Sequence, residues 1–135
     1  MKKMYLPMLL LFPFILNAQS PAERTWTYTY LKAHEGEQKS LSEFIEKNWL
    51  AMDSVAVQQG LLASYELIEN TGESKEWDYL VAVEYFTANT YEAIAERFEQ
   101  IRAAHRTHLV NNKGLRELGR IVRSETVRKR KTSGS

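Results

Sequence analysis

The sequence predicts an α+β domain of order β-α-β-β-α-β, with a four-stranded antiparallel sheet carrying its helices on one face. Three observations predict it. Residues 25–33 (TWTYTYLKA) alternate threonine with Trp26, Tyr28 and Tyr30, the period-two pattern of β-branched and aromatic residues that suits a pleated strand. Two later stretches carry apolar residues at helical spacing. Between those helices, residues 61–70 (LLASYELIEN) and 77–87 (WDYLVAVEYFT) flank a polar loop with one glycine, which reads as a hairpin.

In chain order, His34-Glu-Gly-Glu37 breaks the first strand. Ser40-Leu-Ser-Glu43 has capping-box spacing, in which the serine and glutamate satisfy free helical N–H groups reciprocally. Leu41, Phe44, Ile45, Trp49, Met52, Val55 and Ala56 then form a stripe, and Gly60 stands where a helix stops. After the hairpin, Asn89 is the expected cap of a second helix whose stripe is Tyr91, Ile94, Ala95, Phe98, Ile101 and His105. Residues 106–118 are looser, with room for one short helical turn. Residues 119–130 place Ile121, Val122 and Val127 among polar neighbours as a last strand.

Two helices that need one face of an antiparallel sheet make the ferredoxin-like arrangement of two split βαβ units. Over about residues 24–130 the chain resembles the dimeric α/β-barrel superfamily in element order and length, as an exported branch of it. That resemblance implies a homodimer in which two sheets face each other around a barrel, with a cavity in each half. The sheet pattern points the same way. Leu62, Ile68, Leu80 and Phe86 fall on the hairpin's even positions and would form an exposed apolar patch in a monomer.

The termini set the compartment. Lys2 and Lys3 precede an uncharged run of 12 residues, 5–16, and the small residue Ala18 offers a cleavage point. Residues 1–18 therefore read as a secretory signal, too short to span a bilayer and interrupted by Pro7 and Pro13. The expected product is a periplasmic or secreted protein with a domain over 19–130, a disordered basic tail end at 131–135 and no membrane span. Charge is uneven: residues 19–112 hold 8 basic against 15 acidic residues, whereas 113–135 hold 8 against 2. In an exported chain this basic end reads as a solvated tail, and no nucleic-acid partner is expected. With no cysteine among 135 residues, disulfide scaffolds, thiolate nucleophiles and cysteine zinc sites are excluded. Phosphate loops, nucleophile elbows, zinc-binding helix motifs and calcium loops are absent from the sequence as well.

Three residues are candidates for ligand binding: Glu66, Glu84 and His105. Odd hairpin positions (Leu67, Tyr79, Val81, Val83, Tyr85) are apolar or aromatic and suit packing under helices. Glu66 and Glu84 interrupt the mixed even face, where a dry cavity would raise a carboxyl pKa and make a general base. His105 and His108 are three apart, but two imidazoles without a third ligand do not define a metal site, and none is assigned. The string Ala-Ala-His105-Arg-Thr-His resembles the helix end of heme-degrading monooxygenases of the superfamily, where a histidine ligates heme iron. Those enzymes also use an asparagine on the first strand and a tryptophan in the second helix, and this sequence has neither. The functional expectation is a small exported binding or accessory protein whose cavity takes an apolar or aromatic ligand without a cofactor. The alternative is a cofactor-independent monooxygenase or a heme-degrading enzyme.

Overall fold

The computed structural model describes residues 24–73 and 75–129; the expected signal at 1–18 and the tail end at 131–135 lie outside them. Strand β1 runs Thr25–Ala33, followed by α1 at Gln38–Phe44, a π-helical run at Ile45–Leu50 and α2 at Ala51–Gln58. The hairpin strands are β2 (Ser64–Glu69) and β3 (Tyr79–Tyr85), then come α3 (Thr90–Ala104), α4 (Leu115–Leu118) and β4 (Gly119–Arg128). The sheet order is β2-β3-β1-β4, every pairing antiparallel. The fold is therefore ferredoxin-like. Among the described residues no helix is long and apolar enough to cross a membrane.

The first helix begins earlier than the capping box predicts. Gln38 opens it and Glu37 occupies the cap position without a side-chain cap bond, so Ser40 lies inside the first turn. Glu37 instead pairs with Lys113 across the molecule, an ion pair that fixes the helix start to the 106–118 segment. Gly60 ends α2 in the left-handed region (φ 74°), as its position predicts. Asn89 sits at the cap of α3, but its side chain makes no capping bond.

Two apolar clusters lie under the helices. One gathers Leu31, Leu41, Phe44, Ile45, Val81 and Leu118; the other gathers Ala56, Leu61, Leu62, Tyr85, Phe98 and Ile101. The odd positions of β3 do face the helices, as their apolar character predicts. Leu62, however, precedes β2 and is buried in the second cluster, so it does not belong to the uncovered face.

Segment 106–118 docks through Val110, which is buried, and turns through Asn111 and Asn112, both at positive φ (51° and 61°). Val110 and Lys113 close that turn by exchanging backbone hydrogen bonds. A bulge between Tyr30 and Leu31 leaves Val122 as the extra residue of β4. Before the bulge, Ile121 pairs with Leu31 and faces the helices. After it, Arg123, Glu125 and Val127 pair with Tyr30, Tyr28 and Trp26 and face the other way. Period two alone would have put Ile121 on the same face as Arg123.

Among the described residues no helix lies over that other face. Its aromatic row is covered in part by cations: the Arg123 guanidinium lies 4.0 Å from the Tyr30 ring centroid and the Lys129 ammonium 4.1 Å from that of Trp26. Trp77 packs edge-on against Tyr30 at 5.3 Å. Ile68 and Phe86 remain exposed.

Candidate functional site

A cavity of about 530 Å³ opens between the sheet and the helices, a volume suited to a small organic molecule. The sequence of β1 creates it. On the helix-facing side this strand runs Thr27, Thr29, Leu31: the two threonines line the cavity, while Leu31 is fully buried in core. Short side chains at 27 and 29 leave space that Leu31 fills one step later. Val81, Val83 and Tyr85 of β3 and Ile121 of β4 complete the floor. Trp49, Met52 and Phe98 supply apolar walls from the helices.

Several polar side chains line this space, Asp53, Tyr85, Tyr91 and Arg102 among them. Asp53, on α2, is only 7% exposed, and burial raises its carboxyl pKa from 3.8 to about 7. Desolvation is the whole cause: water that would solvate the anion is excluded, and no cation replaces it. Tyr85, on the floor, has its hydroxyl pKa raised by burial and then by the Asp53 charge, against a hydrogen bond with Thr27 that lowers it. Arg102 stands at the rim, 5.8 Å from the Phe98 ring centroid and paired with Glu99 at 3.7 Å. Tyr91 donates its O–H to the same Glu99 and meets Phe98 edge-on, ring centroids 5.8 Å apart. This Tyr91–Glu99–Arg102 chain holds the cavity mouth on one side of α3.

His105 lines the cavity where α3 ends. Its backbone N–H caps the helix by bonding to the carbonyls of Ile101 and Arg102, while its ring turns back to Asn48. Asn48 belongs to the π-helical run and is 3% exposed. Its Nδ2 donates to the Phe44 and His108 carbonyls, each at 2.9 Å, and its Oδ1 accepts the His108 N–H at 2.7 Å. The same Oδ1 lies 3.0 Å from His105 Nε2. A π-helical turn at a functional position is a recurrent arrangement; here it carries Asn48 and Trp49 to the cavity wall.

The three sequence candidates are not brought together. His105 is in the cavity wall, but Glu66 and Glu84 lie on the opposite face of the sheet. Glu66 is exposed beside Ala82. Glu84 accepts from Arg24 at 3.3 Å and from Ser64 at 3.2 Å, and faces outward next to Trp26. A whole sheet thickness separates them from the cavity, because the even positions of the hairpin strands point away from the helices. Asp53 and Asn48 are the polar cavity residues that sequence reasoning missed. Neither belongs to the apolar stripe read from the sequence; each only adjoins one of its members, Asn48 before Trp49 and Asp53 after Met52.

No protein-family model matches the chain, and no curated protein matches it in sequence. Several solved structures share its fold. SnoaB, a cofactor-independent oxygenase from Streptomyces nogalater, aligns with a TM-score of 0.53 at 13% identity over 84% of this chain and all of that one. A Pseudomonas aeruginosa protein aligns at 0.51 with 11% identity, over 84% of this chain and 99% of its own. A conserved Bacteroides thetaiotaomicron protein, described as a possible oxidoreductase, aligns at 0.50 with 11% identity, over 80% and 99% respectively. At such identities the likeness establishes the fold, and function has to be argued from the site.

Proposed function

We propose that this chain is an enzyme of the cofactor-independent oxygenase type, in which Asp53 takes a proton from a small, largely apolar aromatic substrate held in the cavity. The observation that carries the reading is the position of Asp53: a buried carboxyl in the cavity wall, with Tyr85 across from it and, among the described residues, no cation paired to it. A carrier of apolar ligands gains nothing from a group whose burial costs stability, whereas a general base is most useful with a pKa near the working pH. This moves the balance from a pure binding protein to an enzyme. Likeness to SnoaB supports the same class without carrying it.

The chemistry is dictated by electron balance. Without a cofactor, all four electrons that reduce dioxygen must come from the substrate, two in forming the hydroperoxide and two in its dehydration, and the substrate gives up the first readily only after losing a proton. Asp53 accepts that proton from an acidic C–H; the resulting carbanion passes an electron to dioxygen and the two combine as a hydroperoxide. Loss of water from the hydroperoxide leaves a ketone, so CH2 and O2 become C=O and H2O. Exclusion of water by Trp49, Met52 and Phe98 keeps the anion basic. Oxygen uptake with aromatic ketones carrying an acidic ring CH2 tests the reading: uptake by the wild type and its loss in Asp53→Asn support it, and equal uptake by both sinks it.

Heme fits this residue set poorly. The Asp53 carboxyl would lie uncompensated against it in the same space.

The setting proposed for this activity is an exported homodimer. Residues 1–18 direct export, and the uncovered sheet face, which carries Tyr28 and Val127 as well as the exposed Ile68 and Phe86, is where a second subunit packs. Light scattering on residues 19–135 that returns one subunit mass would remove the dimer and leave the cavity chemistry standing.

A further inference from the structure

We infer that Asn48 is a positioning residue that locks neutral His105 as the Nε2–H tautomer, leaving Nδ1 as the ring's only acceptor and making the cavity selective for a ligand that donates a hydrogen bond. The argument is one of elimination at the Asn48 amide. One end of that amide faces two backbone carbonyls, of Phe44 and His108, which only accept. The other end faces the His108 N–H, which only donates. Reversing the amide would set oxygen against two carbonyl oxygens and NH2 against an N–H, so Nδ2 and Oδ1 are fixed by backbone on both sides. Oδ1 is thus an acceptor, and the His105 nitrogen 3.0 Å from it must carry the hydrogen. In the neutral ring the second nitrogen, Nδ1, then carries a lone pair.

The consequence is chemical selectivity. His105 lines the same cavity as Asp53; with Nε2 held by Asn48, Nδ1 is the ring nitrogen left to meet a ligand there. An aromatic ligand with a hydroxyl satisfies Nδ1; the same ligand with that oxygen methylated leaves it unpaired at a desolvation cost. This rests on the proposed aromatic cavity but not on the oxygenase chemistry, and the two are separable by experiment.

The first measurement uses the wild-type protein alone. Proton–nitrogen correlation spectra of the histidine rings, recorded at about pH 8.5 where ordinary imidazoles are neutral and assigned with His105→Phe, should show a protonated Nε2 and a bare Nδ1. A His105 ring protonated at Nδ1 overturns the inference whatever binds. In Asn48→Ser the ring should relax toward a mixture of tautomers; an unchanged pattern in a folded Asn48→Ser would equally overturn the role of Asn48. The second measurement is calorimetry with 2-naphthol and 2-methoxynaphthalene. Wild type should bind the naphthol about five- to tenfold tighter, and His105→Phe should erase that ratio while still binding the ether. Equal affinities in the wild type reject the selectivity and leave the aromatic cavity intact. Binding of neither compound rejects the cavity reading itself, and the selectivity falls with it.

Discussion

His105 Nε2 lies 3.0 Å from the Oδ1 of Asn48, joining the end of α3 to the π-helical turn between α1 and α2. That contact ties together the two helical segments that wall the cavity and sets Asp53, five residues beyond Asn48, on the same wall. The site is therefore assembled by the first helix and the end of the second, over a floor supplied by the sheet.

Asp53→Asn should abolish turnover and raise stability together. The native carboxyl pKa, about 7, lies above the ordinary 3.8. The native state therefore holds this proton more tightly than the unfolded chain. Its contribution to stability is complete below the unfolded value and is lost as the pH rises through about 7. At pH 8 the wild type bears the full cost, so denaturant melts should show Asp53→Asn more stable by ~1–4 kcal/mol, the amide's own burial offsetting part of the gain. At pH 4 the two should be nearly equal. Since the base works ionised, turnover should rise with pH toward a plateau above about 7.

Glu66→Gln and Glu84→Gln should leave ligand affinity unchanged, because the sheet stands between them and the cavity. Glu66 is exposed, and Glu84 pairs with an Arg24 side chain that is 49% exposed, so each change should alter stability by less than about 1 kcal/mol. Calorimetry and melts on both variants check this. A changed affinity would mean that the outward face contributes to a site.

Phe98→Ala should cost about 3 kcal/mol, the lower end for a buried aromatic. Phe98 packs with Ala56, Leu62, Tyr85 and Ile101, yet one side of its ring borders the cavity, where there are fewer contacts to lose. A urea midpoint shift at constant slope is the measurement.

Gly119→Ala should be among the most damaging single changes on the sheet. A Cβ there would come within 2.4 Å of the Lys32 carbonyl oxygen and 3.0 Å of Leu41 Cδ2, and the backbone of β1 has nowhere to retreat. The residue is extended (φ 179°), so the requirement for glycine is space, not conformation. Overpacking against backbone should cost ~3 kcal/mol or more, seen as a lowered melting temperature or loss of soluble protein.

The legibility of this structure in its sequence differs element by element. Strand β1 was readable to its ends, since alternation of Thr with aromatics is a local signal that burial reinforces. The hairpin faces were readable for the same reason. The helix start at Gln38 was not, because its ion pair Glu37–Lys113 spans 76 residues and replaces a local cap. Nor was the bulge at Val122, which reverses Ile121 with no local marker in the sequence. The helical stripe placed Val55 inside and left Asp53 out, and the structure reverses them: Val55 is 38% exposed and Asp53 7%. The π-helical run lies between them and the start of the stripe, and each i→i+5 turn takes one residue more than an α-turn, shifting the phase of the α2 residues beyond it. His105 lies at the end of α3, where the helical stripe in the sequence places it. Glu66 and Glu84 were drawn in because carboxylates on a strand do mark an unusual face, but which face held the cavity was decided by the short threonines of β1.

The most direct test of the proposed chemistry is the titration of the Asp53 carboxyl itself. The chain contains two aspartates, Asp53 and Asp78, so labelling aspartate side-chain carboxyl carbons yields two signals, assigned by comparison with Asp53→Asn. Followed by carbon NMR from about pH 3 to 9, a range that spans the ordinary and the raised carboxyl values, the Asp53 signal should move with a midpoint near pH 7, as burial in the cavity wall requires. A midpoint near the ordinary 3.8 would show a hydrated carboxylate, and a cavity too wet to hold a base of this kind.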